Sequence, residues 1–384
     1  MARRTRGPHP PAAPVGRTVP PCGDNGPTMN YALYGTPTSA THERFGELLA
    51  QALEERGFGR VPEPAAADVV INLVDEDNPK PFRRASKGTF SFGVVERAEV
   101  PADRLKANYP ILVRSLSNIA LSYTPNEAVW FTTMERGDYS ELSNGDEADL
   151  ARRVIGRLMP LAQARLVIDN EFREDLEPEL WDGDEITEEI IAAGARMGDL
   201  DLLPAPFPIE ELLNERDLRH VKLLYGIGGL SYGNLSQRKD ETRFWMSASG
   251  VDKSKLEIPS RDILLVSGYV EEERKMVISV PPLAEPRRVS VDAIEHWMIY
   301  QAHPDVGAIL HVHAWMEGIQ ATQINYPCGS HELAVSVAEL IAKEPDPANA
   351  AIGLRNHGIT VTGPSLLVIL DRIEPLVLRQ IPMI

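Results

Sequence analysis

The 384-residue chain carries 39 Lys and Arg against 56 Asp and Glu, a net charge of −17, with 43% hydrophobic and 25% charged residues. This is an ordinary globular composition with room for roughly two or three domains. The acidic excess argues against nucleic acid or an anionic membrane as partner, because phosphates would be repelled over most of the surface.

No apolar run approaches the ~18 residues that span a bilayer, and no apolar stretch follows the Arg-containing start, so a cytoplasmic protein is expected. Only Cys22 and Cys328 are present. Neither a disulfide framework nor a cysteine-based zinc site is therefore expected, and any metal is left to His and carboxylates.

Residues 1–28, rich in Pro, Gly and Arg, read as a disordered tail that need not belong to the native product, since Met29 opens a strand-like segment and is a natural start. A mixed α/β domain is expected over residues 29–165. Tyr31–Tyr34 reads as a strand, and Phe45, Leu48, Leu49, Ala52 and Leu53 mark one face of a helix ending at Gly57. Further strands are expected at Asp68–Val74, Thr89–Val95, Ile111–Leu116, Ile119–Tyr123 and Val129–Thr133, then a helix near Asp146–Leu158. Successive strands without intervening helices favour a mixed sheet over a strictly alternating parallel one. The Thr/Ser-rich loop after the first strand offers an anion a place at the helix N-terminus, but it lacks the glycines of a P-loop or dinucleotide fingerprint, and hydroxyls at a helix start are usually caps. Residues 166–207 are acidic, end in Pro204-Ala205-Pro206-Phe207-Pro208, and read as a linker or helical connector.

The last segment, 208–384, carries the chemistry. A helix is expected near Glu210–Tyr225, then a glycine-rich run into Gly233-Asn234-Leu235-Ser236. A strand at Phe244–Ser247 meets the turn Ala248-Ser249-Gly250, and another strand follows at Asp262–Val266. Arg287-Arg288-Val289-Ser290-Val291-Asp292 opens a helix to about His303. Val306 to His313 reads as a buried strand whose alternation puts His311 and His313 on one face, roughly 7 Å apart along the backbone. Two imidazoles so placed can bind a divalent metal, with a third ligand from elsewhere. Asn356-His357-Gly358 ends a strand from Ala351, and Leu366–Leu378 reads as a closing helix.

In their order and spacing these motifs resemble the class II aldolase/adducin family over roughly residues 208–384: Gly233-Asn234-Leu235-Ser236, Ser247-Ala248-Ser249-Gly250, Ser290-Val291-Asp292 with His296, His311-Val312-His313 and Asn356-His357-Gly358. The resemblance implies an α/β/α domain around a largely antiparallel sheet, commonly a homotetramer with sites at subunit interfaces. It implies His311, His313 and His357 as ligands of a divalent metal, zinc first, with Fe(II), Mn(II) or Co(II) as alternatives. Gly233, Asn234, Ser249, Gly250 and Ser290 are implied to hold the phosphate or carboxylate end of a small substrate, with Arg287 and Arg288 nearby. His296, His303 and His331 read as structural.

The family's Ser-Ser-Glu is Ser290-Val291-Asp292 here, one hydroxyl fewer and an acid about 1.5 Å shorter. Asp292 is the expected proton-moving residue. The implied activity is a metal-dependent carbon–carbon lyase, or a related epimerase, dehydratase or decarboxylase, on a small hydroxy-keto substrate. The alternatives are a non-heme iron oxygenase on the same ligands and a non-catalytic, adducin-like interaction module.

Overall fold

Two sheets with helices packed on them organise the computed structural model, which describes residues 29–86, 88–133, 137–203, 209–225, 232–282 and 284–384. The expected tail 1–28, the Pro204–Pro208 segment and the glycines 226, 228 and 229 lie outside these residues.

The first sheet is built from β1 (Asn30–Gly35), β2 (Gly59–Arg60), β3 (Val69–Leu73), β4 (Phe90–Glu96), β5 (Ile119–Thr124), β6 (Ala128–Thr133) and β7 (Gly137–Leu142), in the order β2-β1-β3-β4-β5-β6-β7. Pairing is parallel from β2 through β5 and antiparallel from β5 to β7. It is the mixed sheet expected from the strand succession. Helices α1 (Ala40–Glu54), α2 (Arg104–Ser115) and α3 (Glu147–Gln163) accompany it. Phe45, Leu49 and Leu53 of α1 and Leu150, Val154 and Leu158 of α3 share one buried core with the strands.

Ile111–Leu116 corrects one expectation, since it is not a strand but the end of α2 and its cap. The apolar run continues a helical stripe through Leu105, Tyr109 and Leu112 that a window starting at Ile111 misses. Asp103 accepts from the Lys106 N–H and starts the helix. Topology requires it too, because β4 and β5 are parallel and need a long crossover.

The second sheet takes in β8 (Asp169–Arg173), β9 (Asn234–Arg238), β10 (Phe244–Ser247), β11 (Ile263–Val270), β12 (Lys275–Ser279), β13 (Ala308–Val312), β14 (Gln320–Ala321), β15 (Ala351–Leu354) and β16 (Gly358–Gly363). Their order is β14-β15-β16-β13-β9-β10-β11-β12-β8. Every pairing is antiparallel except the outer two, β14 with β15 and β12 with β8. The associated helices are α4 (Glu185–Asp199), α5 (Ile209–Leu212), α6 (Glu215–Tyr225), α7 (Ala293–Ala302), α8 (His331–Ile341) and α9 (Leu366–Ile373).

The acidic stretch folds onto this second sheet. Ile190, Ala193 and Met197 form an apolar helical stripe inside it and enter the second core, a period that the surrounding charges obscure in the sequence. Asp184 caps α4 and also accepts from the indole N–H of the fully buried Trp245 at 3.0 Å. The helix is thereby fastened to β10. Helix α6 faces the other way: Asp217, with a fully buried side chain, receives a forked Arg114 from α2. No helix among the described residues is long and apolar enough to cross a membrane.

Candidate metal and proton-transfer site

Strand register assembles the site. His311 on β13 pairs with Asn234 on β9 to one side and with Thr360 on β16 to the other. Directly opposed residues share a face of the sheet with Cβ atoms about 4.5–5.5 Å apart, so Asn234, His311 and Thr360 form one row. Helix α7 lies across that face. Its first turns answer the row: Asn234 Nδ2 donates to Asp292 Oδ2 at 2.8 Å, and the Thr360 hydroxyl donates to Glu295 Oε1 at 2.5 Å. Two residues further along β9, on the same face, the Ser236 hydroxyl meets His296 Nδ1 at 2.7 Å and the Tyr300 hydroxyl at 2.9 Å.

The three expected ligands converge. His311 comes from the strand, His313 follows its end, and His357 sits in the hairpin turn between β15 and β16, where Asn356 takes a left-handed φ of 56°. One donor atom from each lies within 4.8 Å of the others. His313 Nε2 is 3.0 Å from His357 Nε2. Asn-His-Gly thus occupies a turn and not a strand end, because Gly358 already starts β16. His311 Nδ1 faces the Ile359 carbonyl at 3.0 Å. Donation there leaves Nε2 as the nitrogen with a lone pair, the arrangement that outer-shell carbonyls impose on metal-ligating histidines. Three imidazoles as a donor set fit a divalent ion of the zinc type.

Gly233 precedes the row with φ +86°, and a Cβ there would stand 2.5 Å from the His311 carbonyl oxygen. Gly233→Ala should destabilise the fold by about 1–3 kcal/mol by forcing β9 from β13. Urea unfolding measures this, and an unchanged midpoint would mean the contact is not tight.

Asp292 occupies the N-cap position of α7 but makes no capping bond. It gives up a stabilisation of roughly 1 kcal/mol and turns to Asn234 instead. It is 7% exposed, and its Oδ1 is buried without a hydrogen-bond partner among the described residues. The Ser249–Gly250 turn and Ser290 are brought together by the backbone, the Ser249 N–H donating to Arg288 O at 2.8 Å and the Ser290 N–H to Ser247 O at 3.3 Å. Those two amides are spent, so any anion there would meet the serine hydroxyls. Arg287 spends one N–H on the Gly250 carbonyl at 3.1 Å.

Sequence reasoning missed three residues. Glu295 is fully enclosed, and burial first, then the nearby Asp292, pushes its carboxyl from 4.5 up to about 8, against the Thr360 hydrogen bond. Lys253, 5% exposed, is drawn down to about 8 by burial while Asp292 opposes the shift. Cys328 Sγ lies 3.3 Å from His357 Nε2. Glu295 had a legible signal: it stands three residues after Asp292, hence on the same helical face. His296 is held neutral, lowered to about 3 by burial and by His311.

Because the folded-state value of Glu295 lies above its unfolded one, the folded protein holds this proton more tightly, and native stability falls as pH rises from about 5 to about 8. Glu295→Gln removes that slope. The variant's stability relative to wild type should therefore rise with pH across this window, as read by urea unfolding at each pH. Parallel curves would show that Glu295 is ionised in the folded protein.

Residues 219–377 match the family model described as Class II Aldolase and Adducin N-terminal domain. No curated protein matches the chain. Among solved structures, YgbL from Klebsiella pneumoniae, named as a candidate aldolase/epimerase/decarboxylase, is 18% identical with a TM-score of 0.32, over 50% of this chain and 86% of that one. An aldolase II superfamily protein from Pseudomonas syringae is 18% identical with a TM-score of 0.31, over 52% of this chain and 75% of that one. Both overlaps are too loose to bear on function. The family match rests on the stretch that contains the histidine row: the C-terminal region of the chain is a domain of the class II aldolase and adducin family, preceded by an N-terminal α/β region.

Proposed function

We propose that the protein is a divalent-metal-dependent lyase of the aldolase type, or a related epimerase, dehydratase or decarboxylase, acting on a small hydroxy-keto substrate that bears a phosphate or carboxylate. The observation that carries this reading is the convergence of His311, His313 and His357 within 4.8 Å. These residues would hold the ion, Zn(II) first and Fe(II), Mn(II) or Co(II) as alternatives, with a coordination position left for substrate. A bound ion of this kind supplies Lewis-acid polarisation of a carbonyl.

The rest falls to the chain. Asp292 takes and returns the proton on the carbon beside the carbonyl, with Asn234 holding its other oxygen in place. Asn234 is therefore a positioning residue for Asp292. Ser249 and Ser290 offer hydroxyls to the distal anion, and Gly233 and Gly250, at φ +86° and +71°, let the backbone approach it without a Cβ in the way. Fixing the far end of the substrate orients the reacting carbon, an effect worth several kcal/mol. We place the protein among cytoplasmic homo-oligomers, a tetramer by the family's habit.

The test is proton exchange without cleavage. Metal-loaded protein in D2O is given dihydroxyacetone phosphate and, separately, hydroxypyruvate, and the proton NMR signal at the carbon beside the carbonyl is followed. Loss of that signal, abolished in His357→Ala, is expected for at least one of the two. Exchange with neither, together with oxygen uptake by iron-loaded protein, would contradict the lyase reading in favour of an oxygenase.

A further inference from the structure

We propose that Cys328 is a fourth protein donor to the metal of the three-histidine site, binding it as a thiolate; this rests on the metal reading above. Two atoms bound to one zinc ion, nitrogen at 2.0–2.1 Å and sulfur at about 2.3 Å, stand roughly 3.6 Å apart when the geometry is tetrahedral. Cys328 Sγ is 3.3 Å from His357 Nε2 and 3.9 Å from its Nδ1. The first distance is close to that of two donors sharing an ion. Sγ is not one of the three donor atoms that lie within 4.8 Å of one another, and turning about its one side-chain torsion is what would bring it onto an ion shared with the other two imidazoles.

The loop that carries Cys328 is held from several sides. The Gly329 carbonyl accepts from Val167 N–H at 2.8 Å, and Gly329, at φ +70°, presses so closely on the approach to α7 that a Cβ would stand 2.9 Å from Val291 O. Ser330 caps α8 through Leu333 N–H. Asn325 reaches Tyr139 of the first sheet at 3.3 Å. The thiol is thus delivered to His357 by anchored backbone. The chain's one other cysteine is Cys22.

Binding would break the S–H bond, form an S–metal bond and release one proton to solvent, with no change of oxidation state. A three-imidazole, one-thiolate donor set selects zinc, cobalt or iron over magnesium or manganese. It leaves a substrate oxygen to enter by expansion of the coordination sphere.

The test uses the full chain, stripped with a chelator and titrated with one equivalent of Co(II). A near-ultraviolet thiolate-to-cobalt charge-transfer band is expected, lost in Cys328→Ser while the visible d–d bands remain. Iodoacetamide alkylation of wild-type Cys328, followed by mass spectrometry, should also slow by about tenfold or more when Zn(II) is added, since a metal-bound thiolate is withdrawn from reaction. Cobalt bound with no charge-transfer band, or with a band that survives in Cys328→Ser, would overturn the assignment and leave the metal site standing. No cobalt bound at all would overturn both.

Discussion

Asp292→Asn should lower turnover by about 10²–10⁴-fold, the usual contribution of a positioned general acid or base, while metal content and folding stay at wild-type levels. The substitution keeps the shape of the side chain, and the Asn234 amide can still meet an oxygen at the 292 position after an amide flip. What it removes is the ability to take a proton. The geometry makes Asp292 the candidate over its neighbours, because it leaves its capping role to bond Asn234 in the row beside His311. Glu295, pushed up to about 8, holds its proton at neutral pH and is the poorer base there. Asp292→Glu, which restores the family's longer acid, should retain turnover within about tenfold, one methylene being absorbed by a small shift of substrate. A kcat unchanged in Asp292→Asn would remove Asp292 from the chemistry.

His357→Ala should cost still more, roughly 10³-fold or greater in kcat/KM with loss of stoichiometric metal. Lewis-acid stabilisation is worth several kcal/mol, and each 1.36 kcal/mol is tenfold in rate. His357 is the ligand whose removal reports most cleanly. It lies in a hairpin turn and not within a core strand, with its backbone N–H held by the Leu354 carbonyl at 3.0 Å, so the backbone of the turn can persist without the imidazole. Metal analysis beside kcat/KM in the same preparation checks it. Wild-type metal content with full activity would exclude His357 as a ligand.

The site was legible where residue type and spacing carry chemistry: His-Val-His alternates on one face, and Asn-His-Gly supplies a third imidazole that sequence distance hides but the antiparallel pairing of β15 and β16 delivers. What could not be read is which polar groups meet across strands. That Asn234 and Thr360 flank His311, and so hold Asp292 and Glu295, depends on register, and register is set by tertiary packing. Cys328 is similar, 29 residues from His357 in sequence and 3.3 Å from it in space. In the fold, the mixed first sheet and the antiparallel second were accessible from the strand succession and the family motifs. Helix α2 was not, because its apolar run carries β-branched Ile111 and Val113 and begins after a proline at 110 that sits inside the helix. Helix α4 was obscured by the acids around its apolar stripe, and the two-residue strands β2 and β14 carry too little pattern to be seen.

The central claim is that three histidines make a metal centre. Its most direct test is elemental mass spectrometry of the purified chain, kept free of chelators, beside His311→Ala/His313→Ala. One equivalent of zinc, or of another divalent transition metal, in wild type and none in the double variant is the expected result. A wild-type protein with no bound metal after exposure to Zn(II), Fe(II), Mn(II) and Co(II) would contradict it and turn attention to the domain as an interaction module.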